Sequence, residues 1–285
     1  MLRSPLLRVE LLTHGLPADV VALVDADPLV NVVVSSRLRA VGTLEPRRLG
    51  GTLLGVRDPD GRLTGAALYG GNLLPVGGGR AEWHALGRYL AERRRYCSSV
   101  IGRAAAVEGI WDALAGSWTA PRAVRAAQPL LVLGSSASLP DGDPRVRRVR
   151  PGELDRYLPA AAAMFTEELG MSPYRQTAAG DYRRRVAGLI DAGRAFAIFD
   201  ERGDVVFKAD LGVVSPHTAQ VQGVWVRPDL RGRGIASAAL APVLRHGLTL
   251  APSVSLYVND FNEPARRLYA RLGLRPVATL STILF

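Results

Sequence analysis

The passage that most constrains how this chain can fold is a short run from strand into helix. Val224-Trp225-Val226 is apolar and strand-like, and it leads through Arg227-Pro228-Asp229-Leu230 into Arg231-Gly232-Arg233-Gly234. Ile235-Ala236 then opens a helical stretch with no further loop. Glycines at 232 and 234 let the backbone turn tightly and remove side chains that would block a close ligand. The first amides of a helix have no intrahelical acceptor, and with the helix dipole they form a site for a phosphate-type anion. Arg231 and Arg233 can add positive charge at its rim. An ordinary strand–helix turn can carry the same two glycines, so the reading depends on what accompanies them.

The accompaniment comes about 30 residues later, in Tyr257-Val258-Asn259-Asp260-Phe261-Asn262-Glu263-Pro264-Ala265-Arg266-Arg267-Leu268-Tyr269-Ala270-Arg271-Leu272-Gly273-Leu274. This stretch resembles a signature of the GNAT acetyltransferase family, V-N-x-x-N-x-x-A-x-x-L-Y-x-x-x-G-F, with Leu274 in place of the usual aromatic. Arg231 to Ala236 resembles the family's other signature, R/Q-x-x-G-x-G/A. The order and spacing of the two also agree, over about 140 residues from Val146 to Phe285. The resemblance implies an α/β fold with a mixed sheet, the GNAT acyl-CoA N-acyltransferase fold. It implies acetyl-CoA as co-substrate and an amine as acceptor. It assigns the pyrophosphate to Arg231, Gly232, Arg233, Gly234, Ile235 and Ala236. The strand residues Val224, Trp225 and Val226 are assigned to the pantetheine arm through their backbone, which pairs with it like an added strand. A backbone amide there polarises the acetyl carbonyl. The Trp225 side chain faces the other way and reads as core.

In the second motif, Asn262 is placed to cap a helix beginning near Pro264. Ala265 and Tyr269, four apart, share one helix face. In the family this tyrosine lies near the cofactor sulfur, and a phenol of pKa about 10 can protonate a leaving thiolate. Asn259 and Asn262 are candidate cofactor contacts, or they serve the loop. The attacking amine must lose a proton. Many relatives put a glutamate on the strand before the glycine loop, but here the positions hold Gln220 and Gln222, which cannot act as bases. Glu167, Glu168 and Asp210 are the acidic candidates left. Lys208, the only lysine among 36 basic residues, could meet a carboxylate substrate or a cofactor phosphate, or form a structural ion pair.

Gly134 to Pro144, rich in Ser, Gly, Pro and Asp, reads as a linker between an N-terminal domain at 1–133 and a catalytic domain at 145–285. Helices are expected over Pro151–Phe165, Asp181–Ala192, Ile235–His246 and Pro264–Leu272. Strands are expected over Arg145–Val149, Ala195–Asp200, Val205–Val214, Gln220–Val226, Val254–Val258 and Val277–Leu284. Pro242 should bend the third of these helices. The first half repeats the plan weakly, from a strand at Leu6–Leu12 to one at Pro129–Leu133. It reads as a degenerate GNAT-like domain, or as an unrelated α/β domain. At the place of the glycine loop it has Gly77-Gly78-Gly79, which could still hold an anion before a helix at Arg80–Arg94. The whole arrangement resembles a two-domain type of GNAT protein from GC-rich bacteria with an uncharacterised N-terminal domain.

Composition sets the outer bounds. Apolar residues make up 48% of the 285, enough for a sizeable core, and no apolar run reaches the ~20 residues a membrane helix needs. The first ten residues show no signal-peptide pattern. Cys97 is the only cysteine, which excludes an intrachain disulfide and fits a reducing cytoplasm. The four histidines have no metal-ligand spacing, so no metal is expected. The net charge is +10 and falls unevenly, with 16 basic against 13 acidic groups up to residue 143 and 20 against 13 beyond it. Arginine-rich composition follows from GC-rich coding, and a positive field also attracts an anionic nucleotide cofactor. Nucleic acid is not an expected partner, since there is no recognition helix and no aromatic–basic surface. The acceptor, a small metabolite or a protein amine, and the oligomeric state are left open. Two rival readings remain: a noncatalytic acyl-CoA-binding sensor, and a tandem acetyltransferase like mycothiol synthase.

Overall fold

The computed structural model describes residues 7–176 and 179–285. The start of the first expected strand at Leu6, and most of the segment weighed as a signal peptide, lie outside the described residues. The first half runs β1 (Arg8–Leu12), α1 (Ala18–Asp25), α2 (Val32–Val41), α3 (Pro46–Leu49), β2 (Gly51–Arg57), β3 (Leu63–Gly70), β4 (Leu73–Gly77), α4 (Arg80–Ala91), β5 (Ser99–Arg103), α5 (Ala104–Leu114) and β6 (Ala123–Gly134). The second half runs β7 (Arg147–Arg148), α6 (Leu154–Leu169), α7 (Pro173–Gln176), α8 (Ala179–Asp191), β8 (Ala195–Phe199), β9 (Val205–Val214), β10 (Ala219–Val226), α9 (Ile235–Leu250), β11 (Ser253–Tyr257), α10 (Glu263–Arg271) and β12 (Arg275–Leu284). The fold is α/β with a mixed sheet. No helix among the described residues is long and apolar enough to cross a membrane.

Two compact units emerge. One contains residues 7–131, 257–262 and 276–285; the other contains 132–256 and 263–275. The first unit therefore takes in the end of the chain, which the sequence reading assigned to the second domain. Its strand order is β1-β2-β3-β4-β5-β12-β6. The two-residue period of its strands separates two cores. Leu53, Ala66, Leu68 and Val76 pack with α1, α2 and α3. Their neighbours Leu54, Ala67 and Tyr69 pack with α4 and α5 through Leu86, Leu90, Val107 and Ile110. The last strand pairs antiparallel with β5, from Leu280↔Arg103 to Leu284↔Ser99, and buries Ile283 in the second of these cores. Beside it Gln128, 1% exposed, accepts from Thr282 Oγ1 at 2.6 Å and donates to Asn259 Oδ1 at 2.9 Å.

In the second unit the order is β11-β10-β9-β8-β7. Helices α6 and α8 cover one face, where Tyr157, Ala160, Val186 and Ile190 meet Ala195, Ala197, Val205 and Trp225. On the other face α9 lies close because Gly247 has no side chain; a Cβ there would stand 2.6 Å from Val254 Cγ2 and 3.4 Å from Leu211 Cδ2. Helix α9 continues through Pro242 to Leu250. A proline lacks the N–H that would bond the carbonyl four residues back, here Ala238 O. The amide of Asp143 fills the vacancy at 2.9 Å, and Arg145 holds the Asp143 carboxylate at 2.7 Å. Arg245 adds a hydrogen bond to Pro140 O at 2.6 Å. The segment read as a linker is thus docked on α9, for a reason that lies a hundred residues away in sequence.

Gln128→Leu should orphan the Thr282 hydroxyl and the Asn259 carbonyl together. Leaving a buried polar group unpaired costs about 1–3 kcal/mol. Urea unfolding should register a loss of at least that size, and an unchanged midpoint would show that this junction contributes nothing.

Candidate functional site

The second unit holds a place where a strand is left half-paired. Parallel strands β10 and β11 are in register only at Ala219↔Val254 and Gln220↔Ser255. Beyond Gln220, the β11 side of β10 has no ladder partner within the unit. On its other side β10 pairs with β9, but the register slips between Gln222↔Asp210 and Trp225↔Lys208, so that β10 carries one extra residue. This β-bulge bends the strand and redirects its peptide groups. It centres on Gly223, whose φ is +59°.

The bulge lies over a buried ion pair. Lys208, fully buried, donates to Asp210 Oδ2 at 2.7 Å and to the Gly223 carbonyl at 2.9 Å. The other carboxylate oxygen of Asp210 accepts from the Tyr157 hydroxyl at 2.5 Å. Burial and the neighbouring Asp210 charge push the Tyr157 phenol well above its ordinary pKa. Of the alternatives open for Lys208, the structure has the ion pair.

Past Val226 the chain enters the Arg-Gly-Arg-Gly turn. Gly232 and Gly234 have φ of +77° and +76°, and a Cβ at either would meet nothing within 4 Å. The conformation demands glycine, while the space beside it is open. Gly234 caps α9, and its carbonyl accepts from Ser237 and Ala238. Among the described residues, the amides of Gly232, Arg233, Gly234, Ile235 and Ala236 have no acceptor. Five unpaired donors in succession at the positive end of a 16-residue helix make a cradle for an anion. Arg231 turns away from it, with Nε on Val226 O at 2.9 Å and its far end on Glu167 Oε2 at 2.6 Å.

The other candidates fall as follows. Glu167 is engaged at both oxygens, since Trp225 Nε1 donates to Oε1 at 3.0 Å, and Trp225 itself lies in the α6/α8 core. Gln222 donates to Gln220 Oε1 at 2.9 Å, so the two amides satisfy each other. Tyr269 is 7% exposed on α10, and no hydrogen bond joins its hydroxyl to another described residue. Burial, with a smaller push from the Glu168 charge, raises its pKa above the usual 10. Asn259 and Asn262 group with the first unit, where Asn259 is held by Gln128. Sequence reasoning passed over Gly223 and Tyr157. The solitary lysine was the one signal that pointed toward them.

The first unit repeats the strand–glycine–helix plan with a carboxylate of its own at the helix start. Strands β4 and β5 are parallel, paired at Leu73↔Val100. Pro75 then lies against Gly102, where a Cβ would come within 2.7 Å of the Pro75 ring. At the start of α4, the Gly79 amide donates to Glu82 Oε2 at 2.9 Å, and Trp83 Nε1 donates to Gly77 O at 2.9 Å. The anion at this helix start is the chain's own carboxylate.

Comparison with known proteins finds two family matches along the chain. Residues 162–274 match the Acetyltransferase (GNAT) family, and residues 51–157 match a domain of unknown function, DUF4081. An acetyltransferase from the GNAT family of Colwellia psychrerythraea superposes with a TM-score of 0.58 at 15% identity, covering 98% of this chain and 99% of that one. A GCN5-related N-acetyltransferase from Sphaerobacter thermophilus gives 0.57 at 18% identity, over 98% and 95%. A tandem GNAT protein from the clavulanic acid biosynthesis pathway gives 0.50 at 17% identity, over 97% and 98%. At these identities the likeness is one of fold. Comparison with curated protein sequences finds no match.

The bulge can be tested without a ligand. A Cβ on Gly223 would stand 2.7 Å from both Lys208 Nζ and Met164 Cε. Gly223→Ala should cost about 1–2 kcal/mol for the left-handed backbone and about 1–3 kcal/mol more for overpacking. Thermal unfolding measures it, and wild-type stability would show that the bulge relaxes freely.

Proposed function

We propose that this chain, which carries a domain of the acetyltransferase (GNAT) family, transfers the acetyl group of acetyl-CoA to a primary amine. The observation that carries the reading is the row of unpaired amides from Gly232 to Ala236, directly after a strand that separates from its parallel neighbour. The amides take the pyrophosphate. The open edge of β10 pairs with the pantetheine arm, which brings the thioester beside the bulge. Arg231 and Arg233 supply charge at the rim, Arg231 after exchanging Glu167 for phosphate.

In the reaction the amine nitrogen attacks the thioester carbon. Its oxygen gains negative charge and is met by the Val224 N–H. The C–S bond then breaks, and the sulfur leaves as a thiolate. Tyr269 donates to that sulfur. Its raised pKa keeps the phenol protonated and able to donate. The same shift makes complete proton transfer to a thiolate uphill, because an ordinary thiol has a pKa of about 8.5. Tyr269 therefore acts chiefly as a hydrogen-bond donor to the developing charge, and the one proton lost by the amine to its acceptor is passed on to the thiolate, which leaves as the free thiol. Glu168 serves in this reading as the acceptor of that amine proton, because its charge reaches Tyr269.

A second reading, a noncatalytic acyl-CoA-binding protein, draws support from the glutamines at 220 and 222, which hydrogen-bond each other where many relatives put a base. One experiment separates the two. Incubating the full chain with acetyl-CoA and a panel of primary amines, and titrating free CoA thiol, should reveal turnover with at least one amine. Tyr269→Phe should lower that turnover by about 10²–10³-fold, the range for losing one donor to developing charge, with CoA affinity kept. Binding without turnover across the panel would favour the second reading, and wild-type turnover by the variant would remove Tyr269 from the chemistry.

A further inference from the structure

We infer that Lys208 is a positioning residue, which aims the Val224 amide at the acyl carbonyl by holding the Gly223 carbonyl from beneath. The inference rests on the acyltransferase reading above.

The geometry begins with one peptide group. In a trans peptide the C=O of one residue and the N–H of the next point in opposite directions. The Gly223 carbonyl is drawn to Lys208 Nζ at 2.9 Å. The Val224 N–H must therefore point away from the buried lysine. Gly223 makes this possible twice over, since its φ of +59° suits glycine and any Cβ would occupy the ammonium's place. Asp210 neutralises the ammonium, and Tyr157 fixes the carboxylate.

Stability alone does not call for this ion pair. Burying two charges carries a desolvation penalty, and apolar residues of similar volume often serve stability as well or better. An apolar side chain cannot hold a carbonyl. Every other basic residue of the chain is arginine, whose planar fork is larger than the compact ammonium that here reaches Asp210 Oδ2 and the Gly223 carbonyl together. The first unit supplies an internal control. Its β3 and β4 stay in unbroken register from Gly65↔Gly77 to Tyr69↔Leu73, and among its described residues no charged side chain is buried. The bulge and the buried lysine occur together before the glycine turn of the second unit, and neither occurs in the β3/β4 pair that leads to the glycines of the first.

The test compares CoA with acetonyl-CoA, a ketone analogue that keeps the carbonyl and cannot transfer it. Wild-type full-length protein should bind the analogue about 3–10-fold more tightly than CoA, the worth of one ordinary hydrogen bond. In Lys208→Met that preference should vanish while affinity for CoA itself stays within about twofold, and kcat should fall about 10²-fold, as when an oxyanion donor is lost, with KM for acetyl-CoA little changed. Where Lys208→Met does not fold, Lys208→Met/Asp210→Leu removes both buried charges and carries the same readout. A folded variant that keeps the analogue preference and kcat overturns the positioning role and leaves the acyltransferase reading intact. A wild-type chain that binds no CoA removes both.

Discussion

Strand β10 is paired to β11 over two residues, and beyond them its β11 side has no ladder partner among the described residues of the unit, while β9 stays paired on the other side. A strand edge with unpaired amides and carbonyls invites an extended ligand to complete the ladder, and the features of the second unit follow from that opening. The bulge at Gly223 redirects a peptide within the open stretch. The turn at Gly232 and Gly234 carries the chain to the start of α9 with five amides unpaired. Tyr269, buried but for a small fraction, leaves its hydroxyl without a hydrogen-bond partner among the described residues.

The two units show what happens to one plan when the opening is kept or closed. In the first, Pro75 meets Gly102, and Glu82 takes the helix-start amide that an anion would use. In the first unit the Gly79 amide has an acceptor within the chain, while in the second the amides from Gly232 to Ala236 have none among the described residues. The difference lies in whether the acceptor belongs to the chain or comes from outside. A carboxylate at the N-terminus of a helix is favourable on its own account, so the closed unit gains local stability where the open one keeps room for a ligand.

Much of this was legible in sequence because the signals are local. The strand over Val205–Val214 and the helix start at Ile235 lie where alternation and glycine placed them. The unpaired amides from Gly232 to Ala236 could be anticipated because a helix start after a strand exposes amides whatever surrounds it. What escaped depends on partners far away in the chain. That β12 pairs with β5 is decided by contacts across more than 170 residues, and strand β6 begins at Ala123 instead of Pro129. The docking of residues 134–144 follows from a carbonyl orphaned by Pro242. Glu82 was visible as a residue, but its role in closing the first cradle depends on a side-chain direction that no periodicity encodes. The bulge at Gly223 was silent because a lone glycine in a strand has several ordinary causes.

The claim on which the proposed function depends is that the chain has one acyl-CoA site and that it lies at Gly232–Ala236. Calorimetric titration of CoA into the full chain, beside a folded Gly234→Val variant, tests it most directly. One site per chain is expected in the wild type. Loss of binding is expected in the variant, where a branched side chain would enter the open space beside the amides and strain a backbone of φ +76°. Two equivalent sites, or an unchanged affinity in Gly234→Val, would contradict it.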